Sequence, residues 1–335
     1  MATIGDVAKL AGVSRSTVSY VMSGKRPVSS EVRQRVQEVI KELDFSPSAA
    51  GRALATATTD TIALLAPMVD NAAPEVALQF VNGVVQAARR QGQDVLLATG
   101  DEAFHSVERL VKANQVDGFV VLDVEERDPR IQALRKANFP AVLVGMPEGV
   151  NDFDRVDLDW REVGLMLIGK LAQAGHQHIC LVGTPAAGQD MDMTYVNRFN
   201  DGVQRGAQLH GSTLVAADAS NDFLTTTRKI EELLRNHPEV TAFVVRHEVA
   251  AAPLFNALNA AGLSVPTDVS VLGVSLDTMS LHSRPISGVL NPFREITGAA
   301  VDLLAQRLED PSLRPRTVLL QPEYDDRGTL SSPKN

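Results

Sequence analysis

Apolar positions along this chain change their period after about residue 60. Ala8, Val18 and Val21, then Val32, Val36, Val39, Ile40 and Leu43, recur at helical spacing and predict three short helices closing a small core. From Thr61 onward, apolar runs of strand length appear at Ile62–Ala66, Val95–Ala98, Phe119–Val124, Ala141–Gly145, Ile179–Gly183, Leu214–Ala217, Phe243–Val245 and Val269–Val274. Helical patterns near 75–91, 104–115, 128–138, 161–174, 195–209, 224–236, 248–261 and 293–308 separate them. Short apolar strands alternating with helices imply parallel sheets covered on both faces. About 270 residues in this pattern suffice for two such sheets, hence two lobes with a ligand cleft at the C-terminal strand ends.

The helical head carries the clearest local chemistry. Thr3 is placed to cap the first helix, with Asp6 three residues on. A tight turn falls at Ala11–Val13, Ser14 is placed to cap the second helix, and a third starts from Ser29 or Ser30. Two short helices around a tight turn read as a helix-turn-helix, whose second helix meets base edges in the major groove. Arg15, Ser16, Thr17 and Tyr20 stand near the start of that helix. Arg15 suits guanine, Ser16 phosphate or base, Tyr20 a base edge, and Thr17 backbone contact or packing. Thr3, Ser29 and Arg52 complete the candidate DNA contacts on the polar side.

Residues 46–60 read as a tether. Ser46 caps and Pro47 suits a first turn, yet roughly ten residues are too few for an isolated helix in water. Gly51 and the β-branched Thr56, Thr58 and Thr59 weaken it further. The segment is expected to fold only against DNA and a dimer mate. Leu54 has no large apolar partner at helical spacing inside it.

Charge is divided unevenly. Residues 1–59 hold eight Lys/Arg against five Asp/Glu, a net of +3, which leaves −12 for the rest of a chain whose formal net charge is −9. A basic head on an acidic body suits a protein that touches phosphate at one end only, and so modest an excess calls for two heads. No apolar stretch is long enough to span a bilayer, and Asp6 interrupts any signal-peptide core, so a cytoplasmic location is expected. The single cysteine, Cys180, sits in a strand-like run and reads as a buried packing residue. His176 and His178 lack a third ligand, so no metal site is expected. Gly183–Gly188 follows a strand without the Gly-Lys-Ser/Thr end of a phosphate loop and reads as an ordinary loop. No nucleophile–base constellation stands at recognisable spacing, which argues against an enzyme and against a resident cofactor.

The run from Thr3 to Leu54 resembles the lactose/galactose-repressor (LacI/GalR) family, and within it the purine-repressor branch. The likeness lies in Asp6-Val7-Ala8-Lys9, Thr17-Val18-Ser19, Ile40-Lys41-Glu42-Leu43 and Ser46-Pro47-Ser48-Ala49. Ala174–Ile179, Asp268–Gly273 and Asp325–Thr329 resemble body motifs of the same family. The resemblance implies a helix-turn-helix domain at 1–45, a hinge helix and linker at 46–60, and an effector-binding and dimerisation domain at 61–330. That body would be periplasmic-binding-protein-like, its N-lobe about 61–159 plus 292–323 and its C-lobe about 160–291. It further implies that Leu54 wedges into the minor groove at the operator centre, that Arg198 holds a ligand oxygen and that Phe293 packs on the ligand face.

Other cleft positions depart from the family pattern. His247-Glu248 stands where Asn-Asp is common, Gly273-Val274-Ser275-Leu276 and then Asp277 where an acidic pair is, and Asp70–Glu75 where an aromatic pair is. Leu122 and Gly145 fall where polar residues occur, and Trp160 falls where Asn is usual, either to stack on a ligand or to close the hinge. Candidate effector contacts are therefore Asp70, Trp160, Arg198, Arg246, His247, Ser275, Asp277 and Phe293. The expected protein is a regulator, a repressor by the resemblance, binding near-palindromic double-stranded operator DNA as a homodimer under control of a sugar or related metabolite. Ser331–Asn335 offers no apolar heptad for a tetramer, and no membrane partner is expected. A solute receptor without regulatory role, or an α/β enzyme with a fused head, are the alternatives.

Overall fold

A computed structural model describes residues 2–23, 26–45, 58–66, 74–100, 102–184, 192–219, 222–246, 248–274 and 285–334. Residues 46–57 of the tether expected at 46–60 lie outside the described residues, as do Asp70, His247, Ser275 and Asp277 and, within the tether, Arg52 and Leu54.

The head consists of α1 (Ile4–Leu10), α2 (Arg15–Ser23) and α3 (Ser30–Glu42). Each start is capped as the residue types require. Asp6 N–H donates to Thr3 Oγ1 (3.3 Å) while Thr3 N–H donates to Asp6 Oδ2 (2.9 Å), a reciprocal capping box. Thr17 N–H donates to Ser14 Oγ (3.1 Å), and Val32 N–H to Ser29 Oγ (3.4 Å). Val7, Ala8, Ala11, Val18, Val36 and Val39 form the buried core. Arg35 Nε donates to Ala11 O (2.9 Å), fastening α3 to the turn before α2.

The body alternates strand and helix. Its first lobe contains β1 (Thr61–Ala66), α4 (Pro74–Arg90), β2 (Asp94–Thr99), α5 (Glu102–Lys112), β3 (Gly118–Val121), α6 (Pro129–Ala137), β4 (Ala141–Val144) and β5 (Asp154–Leu158). The chain then crosses into α7 (Trp160–Gln173), β6 (His178–Thr184), α8 (Thr194–His210), β7 (Thr213–Asp218), α9 (Phe223–Asn236), β8 (Ala242–Val245), α10 (Glu248–Ala260), β9 (Ser270–Val274) and β10 (Ser287–Val289). It returns for α11 (Phe293–Glu309) and β11 (Thr317–Leu320), and crosses again to β12 (Tyr324–Asp325). The sheet orders are β11-β5-β4-β3-β1-β2 and β12-β10-β9-β8-β6-β7, parallel except for the antiparallel β12. Helices cover both faces of each sheet, and three crossings join the lobes.

Four strands escaped the hydrophobic pattern. β5 reads Asp-Arg-Val-Asp-Leu, and both of its aspartates are buried. Asp154 is held there by Arg307 Nη2 (2.8 Å) and Nε (3.0 Å) and by the Arg316 N–H (2.8 Å). β10 is Ser-Gly-Val, and β11 and β12 are short strands on either side of the last crossing. The third apolar run also ends sooner than Val124. Asp123 turns left-handed (φ 49°), which takes the chain off the sheet after Val121.

Candidate functional site

The DNA-facing candidates gather on the first turns of α2. Arg15 and Ser16 are exposed, and Thr17 and Tyr20 are half-buried. The hydroxyls of Ser14, Ser16 and Thr17 are linked (Ser14–Ser16 2.7 Å, Ser14–Thr17 2.8 Å), so Thr17 is tied into the cap. The Arg15 guanidinium lies over Gly5 of α1, where a Cβ would stand 3.0 Å from Nη2. Arg26, which sequence reasoning did not single out, sits over the Tyr20 ring at 5.1 Å and extends the basic face. Thr3 and Ser29 lie at helix starts, where backbone N–H groups favour phosphate.

At the lobe junction the fold brings Trp160 and Arg198 together around a residue that sequence reasoning did not select, Asp157. In a parallel β–α unit the helix starts at the C-terminal strand ends, so α7 and α8 both present their first turns to the cleft. The Trp160 indole N–H donates to Asp157 Oδ1 (2.9 Å), which also accepts from Leu158 N–H (2.8 Å). Asp157 Oδ2 is buried with no hydrogen-bond partner. Burial pushes this carboxyl up to about 7, against the pull of its hydrogen bonds and of Arg198. Tyr195 packs on Trp160 with ring centroids 5.3 Å apart. One turn along α8, Arg198 Nη2 pairs with Asp159 Oδ1 (3.3 Å), and Arg198 Nε is buried without a partner. Asp201, three residues further along α8, is engaged by Arg161 and Arg205. Trp160 is buried between the lobes.

A second junction element lies beside the first. Glu126 N–H donates to Asp192 O (2.8 Å) and Thr194 N–H to Val124 O (3.0 Å), so the segment after β3 pairs with the segment entering α8. Met146 N–H donates to Thr194 Oγ1 (3.3 Å). Glu125 is held above the usual carboxylate range by burial and by Asp128 and Asp192 nearby. Burial raises Asp123 likewise, with Arg130 acting against it. Neither the pairing nor Asp123 carries a sequence signal beyond its place after an apolar strand.

The remaining described candidates sit apart from Trp160. Arg246 is buried at the end of β8, on the cleft side, and donates from Nη2 to Gly183 O (2.6 Å). Phe293 starts α11 and meets Phe80 of α4 edge-on, with centroids 4.9 Å apart. Cys180 is fully buried, and burial pushes its thiol up to about 12. Both ring nitrogens of His176 are taken: Nδ1 lies 2.8 Å from Thr241 Oγ1, and Nε2 lies 2.9 Å from Ser270 Oγ and 2.8 Å from Ser331 O. It pins the final segment to the C-lobe, and no cluster able to hold a metal ion occurs among the described residues.

Comparison with known proteins agrees with this arrangement. Residues 3–48 match the family described as bacterial regulatory proteins, lacI family, and residues 168–330 match the periplasmic binding protein-like domain. A helix-turn-helix transcriptional regulator of Thermobifida fusca, CelR, is 31% identical over 332 residues, covering 95% of each chain. A solved complex of the transcriptional regulator CelR with cellobiose is 28% identical, spans 98% of this chain and 100% of that one, and has a TM-score of 0.70. The lac repressor dimer bound to operator and the anti-inducer ONPF is 22% identical, spans 98% and 99%, and shares the fold with a TM-score of 0.82.

Proposed function

Because the chain belongs to the LacI family of bacterial regulatory proteins, we propose that it represses transcription from a near-palindromic operator as a homodimer whose grip is set by a small cleft ligand. It is a DNA-binding transcriptional regulator and not an enzyme. The observation that carries the operator reading is the exposed first turn of α2, with Arg15 and Ser16 outward, the half-buried Tyr20 one turn on and Arg26 over its ring. Arg15 reads a guanine and Ser16 a phosphate or base, with Thr3 and Ser29 on phosphate. Two heads related by a two-fold axis read half-sites about one helical turn apart. Leu54 wedges the operator centre open, and Arg52 lies on the backbone beside it.

The effector is a sugar or related metabolite held between the lobes. Trp160, Arg198, Arg246 and Phe293 contact it, together with Asp70, His247, Ser275 and Asp277. Arg198 supports this reading best, because it comes from one lobe and pairs with the crossing from the other. A ligand that binds one lobe arrangement more tightly shifts the population toward it, and the paired tethers then gain or lose their spacing. Domain limits follow the reading above: head 1–45, tether 46–60, body 61–330. A regulator that works on an operator is expected in the cytoplasm.

Selecting bound fragments from a genomic library at low ionic strength, with and without cellobiose, ribose and related sugars, tests the proposal. A single enriched near-palindrome whose retention changes with one sugar is the expected result. Retention of no sequence over bulk competitor overturns it.

A further inference from the structure

Two buried polar atoms at the lobe junction lack partners, and they come from opposite lobes. Asp157 Oδ2 belongs to β5 and Arg198 Nε to α8. A buried acceptor and a buried donor left unmatched each carry a desolvation penalty, which their pairing would relieve. As the lobes stand here, Arg198 is drawn the other way, to Asp159. Asp159 is already committed at the start of α7, where its Oδ1 also accepts Glu162 N–H (3.3 Å).

From this juxtaposition we infer that Asp157 is a positioning residue of the effector site, offering Arg198 a second seat whose occupation couples lobe rearrangement and effector binding to release of one proton from the Asp157 carboxyl. The inference rests on reading the cleft as the effector site. With Arg198 on Asp159, Asp157 is held by one oxygen only, and burial keeps much of its population neutral at physiological pH. When Arg198 moves to Asp157, the carboxyl O–H bond breaks, its electron pair stays on Oδ2, and the proton passes to solvent. Among the described residues, few charged groups lie around Asp157. Arg155 lies two residues back on its own strand, Asp159 stands on the crossing and Arg198 on α8. Arg155 hydrogen-bonds Asn151 and Thr317, and the Trp160 N–H serves Oδ1. Among the described residues, Arg198 is therefore the cation placed to change partners.

The chain has one tryptophan, and that residue donates to the titrating carboxyl. Trp160 emission from the intact protein, followed between about pH 5.5 and 8.5, reads the event directly. The wild type is expected to show one transition near neutrality. D157N, nearly isosteric, should abolish it. R198A should move the midpoint up by roughly half a pH unit or more, with R198K restoring most of the shift. Small-angle scattering at the two ends of this range should differ for the wild type and coincide for D157N.

A flat wild-type titration overturns the inference, as does a transition that survives D157N or ignores R198A. Equal scattering at both ends removes the coupling to lobe arrangement. Operator selection is measured separately, so its failure would strike the function proposed above and leave these outcomes readable.

Discussion

Thr194 fills the space that a side chain at Gly145 would need. A Cβ on Gly145 would stand 3.0 Å from Thr194 Oγ1 and 2.7 Å from Val124 Cβ. Gly145 also has φ 150°, which L-residues adopt at a cost, and it directly precedes Met146, whose N–H binds Thr194. The absent side chain is thus what lets the two lobes touch beside the cleft. Gly145→Ala is expected to lower stability by about 1–3 kcal/mol and to loosen the Val124–Thr194 pairing. Urea unfolding checks the first, and faster amide exchange at Thr194 and Glu126 the second.

The C-lobe relies on a closer approach still. Gly164 of α7 and Gly202 of α8 face each other's backbones: a Cβ on Gly164 would stand 2.5 Å from Phe199 O, and one on Gly202 would run into Arg161 O. Backbone cannot move aside as a side-chain tip can. Gly202→Ala should therefore destabilise by more than about 3 kcal/mol, whereas Gly211→Ala, with open space around it but φ 68°, should lose only about 1 kcal/mol. Denaturant midpoints of the two variants, measured side by side, separate overpacking from backbone strain.

Stability against pH contains two opposed contributions. Burial holds His176 below its ordinary value, near 6.5, so the unfolded chain takes up its proton first and stability falls as pH drops below about 6.5. Asp157 is raised to about 7, so between the ordinary aspartate range and neutrality the folded protein holds the extra proton, and stability falls as pH rises. The two partly cancel in the wild type as pH falls below about 6.5. Asp157→Asn should unmask a steeper loss of stability on acidification, and unfolding midpoints across this window measure it.

Much of this architecture is legible in the sequence, for an identifiable reason. Helix starts with Thr3, Ser14 and Ser29 announce themselves through side-chain chemistry, and β1, β4 and β8 are apolar because both faces are covered. β5 was not legible, because Asp154 is acceptable in a buried strand only through Arg307 and Arg316, far away in sequence, and Asp157 only once the chain turns to bring the Trp160 indole N–H onto it and α8 brings the charge of Arg198 near. The junction was hidden for the same reason. Asp157 looks like a surface acid until the crossing and α8 cover it.

In the head, Arg15 and Ser16 differ in what they should do. Arg15 is the group suited to two bonds with one guanine, so Arg15→Ala should weaken the selected operator by about 1–3 kcal/mol and relax preference at one base pair. Ser16 shares its hydroxyl with Ser14, so Ser16→Ala should have a smaller effect, spread evenly over sequences. Binding to the selected operator and to single-base variants at several salt concentrations distinguishes base reading from phosphate contact.

Each sheet leaves one edge strand bordered by exposed apolar side chains. β2 ends the first sheet, with Leu97 43% exposed and Leu78 of α4, which packs beside it, 60% exposed; β7 ends the second, with Phe223 of α9 44% exposed. Parallel sheets seldom leave such edges in water, so these edges are the surface expected to meet the second copy. A charge at its centre would have to be buried unpaired twice, once per protomer, by the two-fold axis. Leu97→Glu should leave the monomer folded, because residue 97 is outside the buried core, yet shift it to a monomer in sedimentation. Operator affinity should then fall roughly tenfold or more, since the second head loses the high local concentration that tethering provides. An Arg15→Ala dimer that loses base preference while sedimenting normally would show that reading and pairing are separate properties of the two ends of the molecule.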